Sequence, residues 1–269
     1  MVVFLKLGGS LITDKNHPYT ARHAQIQALS TAIAEVLHTR PDLHLLLGHG
    51  SGSFGHWAAR QGNIRHGIRH PTDWQPFVRI GAAARRLNTL VMDALLAAGV
   101  QAVAIPPLAT LVAENGHPSQ GETAPLEAAL QAGLVPVVYG DVVFDRRRGG
   151  VILSTEEVFA FLVPRLRPQR LLLAGVEPGV CTDYPRCRQV VPQITPASLP
   201  TLLPALGGSS GVDVTGGMLA KVQATVALVR QNPYLEALIF DGRSAETLQQ
   251  ALLGARPGTR ILADDTTHT

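Results

Sequence analysis

Short apolar runs alternate with long amphipathic stretches along most of the chain. A short apolar run bounded by glycine or proline is typical of a buried strand, and apolar residues that recur with the period of a helix are typical of a helix. These patterns predict strands at Val2–Leu7, Leu43–Leu47, Val103–Pro106, Val135–Tyr139, Arg170–Ala174, Ala237–Phe240 and, at a sheet edge, Arg260–Ala263. They predict helices at Ala21–Thr39, Trp74–Ala98, Thr123–Gln131, Thr155–Val163, Gly217–Gln231 and Ser244–Leu253.

The order of these elements indicates the fold class. Val142–Phe144 and Gly150–Leu153 flank a run of three arginines and predict a hairpin. Elsewhere strands and helices alternate, which predicts an α/β fold whose mostly parallel central sheet is covered by helices on both faces. The glycine-rich segment 207–217 either separates two lobes or forms a phosphate-binding loop.

Composition limits the kind of partner. The formal net charge is +3 and aromatic residues make up 5% of the chain. A nucleic-acid binder usually combines a basic stripe with interleaved aromatic residues, so we expect no nucleic-acid partner and favour a small anionic substrate. No apolar run approaches the length of a membrane helix, and Met1–Leu7 lacks the charged start of a signal peptide. We therefore expect a soluble, cytoplasmic protein with no membrane partner.

The sequence has two cysteines, Cys181 and Cys187. Their spacing matches no zinc pattern, and no second pair of cysteines or histidines completes one. We predict two free thiols in a loop and no protein-held metal site.

The distribution of lysine is unusual. Of the 23 basic residues, 20 are arginines, and the lysines are Lys6, Lys15 and Lys221. Lysine carries a compact, rotatable charge that arginine does not replace. Each lysine lies close to a glycine-rich segment, so we interpret all three as functional residues.

Three glycine-rich segments lie where the parallel sheet would bind a ligand. They are Gly8-Gly9-Ser10 after the first strand, Gly48–Gly55 after the second, and Asp213–Gly217 before a helix. Glycine lets the backbone approach a phosphate closely, and the N–H groups at a helix start point toward it. Gly50-x-Gly52-x-x-Gly55 also fits a dinucleotide fingerprint, but Asp73, the acid at the expected distance, begins a helix, and the three lysines stay unexplained.

Two further polar residues lie near these segments. His56 follows Gly55, where we expect a helix to begin, and it could donate a hydrogen bond to an acceptor phosphate. His49 ends a strand and is interpreted as a buried structural residue. Asp141 follows a buried strand and is either a turn residue or a polar group that orients lysines or magnesium.

At these residues the sequence resembles the amino acid kinase family, and within it the isopentenyl phosphate branch. The matching segments follow one another along almost the whole chain. They are Lys6–Lys15, His49–His56, Gly140-Asp141, Asp213–Met218 and Lys221. Lys15 and the ending Ser-Phe-Gly-His narrow the resemblance to that branch.

The resemblance implies an open αβα sandwich, in which residues 1–168 bind the acceptor phosphate and residues 169–269 bind ATP across one continuous sheet. It implies ATP-dependent conversion of isopentenyl phosphate to isopentenyl diphosphate, with Mg²⁺ on the ATP phosphates and a homodimeric assembly. The implied catalytic residues are Lys6, Lys15, His56 and Lys221. The implied ATP-binding residues are Lys6, Gly8, Gly9, Ser10, Ser51, Asp213, Thr215, Gly216, Gly217 and Lys221. The implied substrate-binding residues are Gly50, Gly52, Gly55, His56, Phe77, Ile80, Ala84, Asp141 and Ser154.

The tail of the acceptor needs an apolar pocket, and the helix 74–98 offers a stripe of Phe77, Ile80, Gly81 and Ala84, which core packing explains equally well. The small Gly81 and Ala84 suggest a roomier pocket that accepts longer monophosphates such as dimethylallyl or geranyl phosphate.

Three segments depart from the family pattern. Ser51 replaces a glycine and requires a negative φ. Ser154–Glu157 replaces a Ser-Gly-Asp-Asp-like run, and Ala174–Gly179 replaces a run with an aspartate near the nucleotide.

Other interpretations stay open at this point. A kinase for another small phosphate or phosphonate, such as fosfomycin, would share the lysines and the histidine. A non-catalytic nucleotide-binding member of the fold would not need three converging cations, and His56 argues against an amino acid kinase that forms an acyl phosphate.

Overall fold

The computed structural model describes residues 1–60, 62, 64, 66–206 and 217–264. Its strands are β1 (Val2–Leu7), β2 (His44–His49), β3 (Ala102–Ala104), β4 (Leu111–Glu114), β5 (His117–Gly121), β6 (Val135–Tyr139), β7 (Asp141–Asp145), β8 (Gly149–Leu153), β9 (Arg170–Gly175), β10 (Gln193–Ile194), β11 (Glu236–Asp241) and β12 (Thr259–Ile261). Its helices are α1 (Gly9–Ile12), α2 (His23–Thr39), α3 (Gly52–Arg60), α4 (Trp74–Ala97), α5 (Pro107–Thr110), α6 (Ala124–Gln131), α7 (Thr155–Leu166), α8 (Leu199–Leu206), α9 (Gly217–Gln231) and α10 (Ala245–Leu252).

Eight strands form one twisted central sheet in the order β10-β12-β11-β9-β1-β2-β6-β3. All neighbours in it are parallel except β11 and β12. The sheet therefore runs without a break from the N-terminal half of the chain to the C-terminal half, through the pairing of β1 with β9.

The core lies on both faces of this sheet because side chains alternate along each strand. On β1, Val3, Leu5 and Leu7 pack with α2, α3, α4 and α10. Phe4 points to the other face and packs with α6, α7 and α9. Lys6 shares that second face, which places its ammonium on the side of α7 and α9. The predicted open three-layer αβα sandwich with a mostly parallel sheet is confirmed.

A second sheet covers one end of the molecule, in the order β5-β4-β7-β8. The predicted hairpin is its antiparallel pair β7–β8, and Arg146, Arg147 and Arg148 lie in the turn. The short elements α1, α5, β4, β5, α8 and β10 were not predicted from the sequence. The last strand was wrongly placed at the sheet edge, because β10 pairs with the outer side of β12.

No helix within the described ranges has both the length and the apolar composition that a membrane crossing requires.

Candidate active site

The carboxyl ends of three neighbouring parallel strands meet at one edge of the central sheet. Leu7 of β1 lies opposite His49 of β2 on one side and Ala174 of β9 on the other. The N–H of Gly8 donates to the Ala174 carbonyl at 2.8 Å, which ties the loop after β1 to the end of β9. Ligands of open parallel sheets bind at such an edge.

Two glycine loops touch at this edge, backbone against backbone. A Cβ on Gly9 would lie 2.6 Å from both the N and Cα atoms of Gly52, and a Cβ on Gly50 would lie 2.8 Å from the Gly9 nitrogen. Gly52 also has φ +48°, a conformation that side chains disfavour. Glycine is therefore required here for close contact between the loops.

Thr13 joins the same two loops through its side chain. Its hydroxyl donates to the Gly9 carbonyl at 2.7 Å and accepts from the Ser53 N–H at 2.9 Å. Thr13 is fully buried, so water cannot replace these bonds. Sequence analysis did not single out Thr13, although it lies within the matched segment Lys6–Lys15.

Helix α3 begins at Gly52, and the Ser53 N–H of its first turn donates to the Thr13 hydroxyl. His56 lies in its second turn and not at its start, because the helix begins earlier than the sequence suggested. Ser51, before the helix, is not among the residues with a positive φ, so the backbone condition for a serine there is met.

The charged centre of the site joins β1 to the helix α7. Lys6 Nζ forms an ion pair with Glu156 Oε1. Glu156 lies in the first turn of α7, which is fixed by reciprocal hydrogen bonds between Ser154 and Glu157, from Glu157 N–H to Ser154 Oγ at 3.2 Å and from Ser154 N–H to Glu157 Oε2 at 2.7 Å. The capping pair therefore determines where the Glu156 carboxylate points.

Glu156 also senses the charge of Lys221 on α9. Burial alone would raise the pKa of the Glu156 carboxyl, but the charges of Lys6 and Lys221 and the hydrogen bond from Lys6 together lower it below its usual value. The carboxylate is thus ionised, paired with Lys6 and stabilised further by the charge of Lys221 on α9.

A cavity of about 1150 Å³ follows the whole edge and joins the loops to this charged centre. The sequence-predicted residues that line it are Lys6, Gly8, Gly9, Ser10, Lys15, Gly50, Ser51, Gly52, Gly55, His56, Ile80, Ala84, Asp141, Ser154, Gly217 and Lys221. Lys15 lies on the exposed loop after α1. The structure therefore brings the three lysines and His56 to one cavity.

Phe77 does not belong to the cavity lining. It is buried between Trp74 and Phe144, with ring centroids 5.3 and 5.4 Å away, and it covers Gly150. Gly81 does not widen a pocket either, because a Cβ there would lie 2.9 Å from Val142 Cγ2. The suggestion of a roomier pocket at Gly81 is wrong, since β7 already fills that space. Ile80 and Ala84 do line the cavity.

Asp141 lies at the start of β7 and is 1% exposed. Its Oδ1 accepts the Val142 N–H at 2.9 Å, whereas Oδ2 has no hydrogen-bond partner. Burial raises the pKa of the Asp141 carboxyl to about 7, although two backbone hydrogen bonds and the charge of Arg85 oppose the shift. Asp141 is therefore the first residue of a strand and lines the cavity, and its role in binding stays a prediction.

His49 is structural, as expected. It is fully buried, and its Nε2 forms a hydrogen bond of 3.1 Å with Asn88 Oδ1. Its ring stacks on Tyr139 with centroids 5.4 Å apart. Burial lowers the pKa of the His49 imidazole, so the ring is neutral near pH 7.

The prediction of two free thiols is wrong. Cys181 and Cys187 form a disulfide, with Cα atoms 5.1 Å apart. The spacing rules for zinc sites do not predict disulfides. The pair forms because the loop between the two cysteines turns back and brings them together. Asp213, Thr215 and Gly216 lie outside the described residues.

The amino acid kinase family model matches residues 1–241. The chain belongs to the amino acid kinase family. It is 31% identical over 267 residues to isopentenyl phosphate kinase from Methanocaldococcus jannaschii, covering 97% of this chain and 98% of that relative. It is 35% identical over 263 residues to isopentenyl phosphate kinase from Haloferax volcanii, with the same coverage of 97% and 98%.

Solved structures agree with this assignment of the family. An X-ray structure of isopentenyl phosphate kinase matches with a TM-score of 0.81 at 29% identity, covering 97% of this chain and 100% of that structure. The resemblance to the isopentenyl phosphate branch of the amino acid kinase family is confirmed.

Within this family fold, Glu156 is the central residue that sequence analysis missed. It was noted only as part of a departure from the family pattern, in the segment Ser154–Glu157. A signal was present, because Ser followed three positions later by Glu predicts a capping box and so the start of α7. That signal locates the start of α7. Only the tertiary structure shows that Glu156 pairs with Lys6 and is influenced by the charge of Lys221.

Proposed function

We propose that this protein transfers the γ-phosphoryl group of ATP to the phosphate of isopentenyl phosphate and forms isopentenyl diphosphate. The observation that carries the proposal is that Lys6, Lys15, Lys221 and His56 line one cavity, in which Glu156 pairs with Lys6. The full-length similarity to isopentenyl phosphate kinases supports the choice of acceptor.

Enzymes catalyse phosphoryl transfer mainly by positioning the two substrates and by stabilising negative charge, with little covalent chemistry of their own. The transition state is loose, and negative charge spreads over the equatorial oxygens of the transferred group. Lys6, Lys15 and Lys221 would neutralise that charge. Glu156 would hold Lys6 and Lys221 in place, because it interacts with both.

The acceptor needs no strong general base. A phosphate monoester has a second pKa near 6, so it is largely ionised near pH 7 and can attack directly. His56 would position the acceptor phosphate by a hydrogen bond. Ile80 and Ala84 would supply apolar contacts for the isopentenyl tail, since both line the cavity.

The glycine loops would hold the phosphates of ATP. The backbone of Gly8, Gly9 and Ser10 lines the cavity beside Lys6. Backbone N–H groups at a helix start favour phosphate oxygens, and the contact of Gly9 with Gly52 keeps both loops in register.

Magnesium would accompany the nucleotide and neutralise part of its phosphate charge. Over the described part of the chain, no group of three or more His, Cys, Asp and Glu side chains is placed to hold a metal ion. Mg²⁺ in kinase sites is usually bound by substrate phosphates, water and one or two carboxylates. Glu156 is a carboxylate that lines the cavity and pairs with Lys6.

The same proposal assigns a different ligand to each half of the chain. Residues 1–168 would bind the acceptor and residues 169–269 the nucleotide, because His56, Ile80 and Asp141 lie in the first half and Lys221 in the second. A homodimer and a cytoplasmic location stay predictions from the family resemblance.

The proposal is tested by ADP release with a panel of acceptors. Isopentenyl phosphate should give the highest kcat/KM, above dimethylallyl phosphate, geranyl phosphate, fosfomycin, UMP and glutamate derivatives. Turnover of an amino acid alone would overturn the acceptor class, and a preference for fosfomycin would favour the phosphonate alternative.

The variant His56→Ala tests the role of the imidazole. Loss of a preorganised hydrogen bond to a reacting phosphate should lower kcat/KM for isopentenyl phosphate by about 100-fold. The affinity for ATP, measured by calorimetry, should change by less than about twofold, because the proposal gives His56 no contact with ATP. His38→Ala, on the exposed face of α2, is the matched control, and full turnover by His56→Ala would show that the proposed role is wrong.

A further inference from the structure

The segment Val176–Val191 leaves the end of β9 and returns as a hairpin. Its base is fixed by a hydrogen bond from Val191 N–H to the Val180 carbonyl at 2.8 Å. Thr259 of β12 holds the same base, since its hydroxyl accepts the Val180 N–H at 2.8 Å and donates to the Val191 carbonyl at 2.6 Å. The base of this hairpin is therefore tied to β12 of the central sheet.

The tip of the hairpin, residues 181–189, is held by a disulfide and by hydrogen bonds to Asp183. The disulfide between Cys181 and Cys187 crosses it, and the Asp183 carboxylate accepts the N–H groups of Arg188 and Gln189, both at 3.1 Å. Cys187 has φ +47°, a left-handed conformation that a residue with a side chain rarely adopts. The cross-link and the Asp183 turn hold this unfavourable backbone in place.

Cys181 and Cys187 line the cavity of the candidate site, together with Tyr184, Glu177 and Lys221. Cys187 Sγ lies 3.8 Å from Glu177 Oε2, and Cys187 is half-buried, whereas Cys181 is buried. A small dithiol can therefore approach Cys187 from the cavity side. The disulfide is part of the wall on the side of α9, away from His56 and Ile80.

We propose that Cys181 and Cys187 form a redox modification site that sets the affinity for ATP, with the oxidised pair preorganising the nucleotide side of the cavity. The proposal rests on the proposed function, because it assigns that side of the cavity to ATP. Rigid walls bind more tightly because less ordering is needed when the ligand arrives. Opening the disulfide removes the covalent link across the hairpin and leaves its tip held only by hydrogen bonds, including those to Asp183, while its base stays held by Thr259.

A dithiol can reduce the disulfide by two successive thiol–disulfide exchange steps. A thiolate of the dithiol attacks Cys187 Sγ, the S–S bond to Cys181 breaks, and Cys181 leaves as a thiolate that takes up a proton. The second thiol of the reductant then displaces Cys187. The protein gains two electrons and two protons, and the dithiol becomes a cyclic disulfide.

The test compares the full-length protein after treatment with oxidised and with reduced dithiothreitol. Titration with a thiol reagent should find no free thiol in the first sample and two in the second. In ADP-release assays with isopentenyl phosphate, reduction should raise the KM for ATP by about threefold or more, since one ordered segment is lost. The KM for isopentenyl phosphate should change by less than twofold.

The double variant Cys181→Ser/Cys187→Ser is the matched control. It should show the high KM for ATP of the reduced protein in both conditions. An unchanged or lowered KM for ATP on reduction, or two thiols in the oxidised sample, would overturn the inference while leaving the proposed function intact. Absence of ADP release in both redox states would instead contradict the proposed function.

Discussion

Replacing Gly9 with alanine would place a methyl group between two loops that touch through their backbones. The new Cβ would lie 2.6 Å from two backbone atoms of Gly52. No flexible side chain can move aside there, because both partners are main chain. The loops must separate by about 0.8 Å to reach an ordinary contact of 3.4 Å, which moves α3 and His56 relative to Lys6.

A displacement of about 1 Å in a catalytic arrangement can cost about 100-fold in rate. We therefore expect Gly9→Ala to lower kcat/KM by about 100-fold, equivalent to about 2.7 kcal/mol of transition-state stabilisation. Overpacking should also lower the free energy of unfolding by about 1–3 kcal/mol.

The assays are ADP release at saturating ATP and urea unfolding followed by circular dichroism. Gly175→Ala is the matched control for stability, because a Cβ there would have its nearest neighbours at 4.0 Å. If Gly9→Ala keeps the kcat/KM of the unmodified protein, the contact between the loops does not position the site and the reasoning fails.

Three further predictions concern buried polar groups. Because burial raises the folded-state pKa of Asp141 from 3.8 to about 7, its contribution to stability is fully present below pH 3.8 and is lost as pH rises through about 7. Asp141→Asn keeps the acceptor for Val142 N–H and should flatten the decline in urea midpoint between about pH 4 and pH 7; an unchanged decline would refute this assignment. The folded-state pKa of Glu156 is lowered, so its contribution is present above the usual 4.5 and is lost as pH falls through the depressed value. Glu156→Gln should thus lower the free energy of unfolding at pH 7 by about 1 kcal/mol, and the difference should vanish in acid; equal destabilisation in acid would count against the ion pair. Thr13→Val leaves the Ser53 N–H without its partner, whereas Gly9 O keeps the backbone N–H of Thr13 at 3.0 Å. The variant should cost about 1–3 kcal/mol in urea unfolding, and Thr13→Ser should cost less; equal losses in the two variants would show that the effect comes from packing.

The pattern of apolar positions predicted the larger elements well because each buries a continuous face. β1, α4 and α9 were placed within a few residues of their observed bounds. The elements that were missed, such as α5, β10 and the pair β4–β5, are too short to show a period. They are stabilised by neighbours that the local sequence does not reveal, as Leu111 and Ala113 are by the second core cluster.

The residues of the candidate site were likewise predicted only in part from the sequence. Lys6, Lys15 and Lys221 could be selected from the sequence, because lysine is scarce here and lies beside glycine-rich segments. Phe77 and Gly81 could not be assigned correctly, since a helical stripe packs on a core or lines a pocket according to what faces it. In this protein Val142 and Phe144 face those two residues.

The sequence by itself determined the alternation of strands and helices, the family and the residue types that serve phosphate transfer. These follow from local periodicity and from glycine and lysine chemistry, which act over a few neighbouring residues. Only the tertiary structure decided that Glu156 pairs with Lys6, that Gly9 meets Gly52, and that Cys181 pairs with Cys187. Such contacts depend on the distances between separate elements, and these distances are set by the packing of helices on a shared sheet.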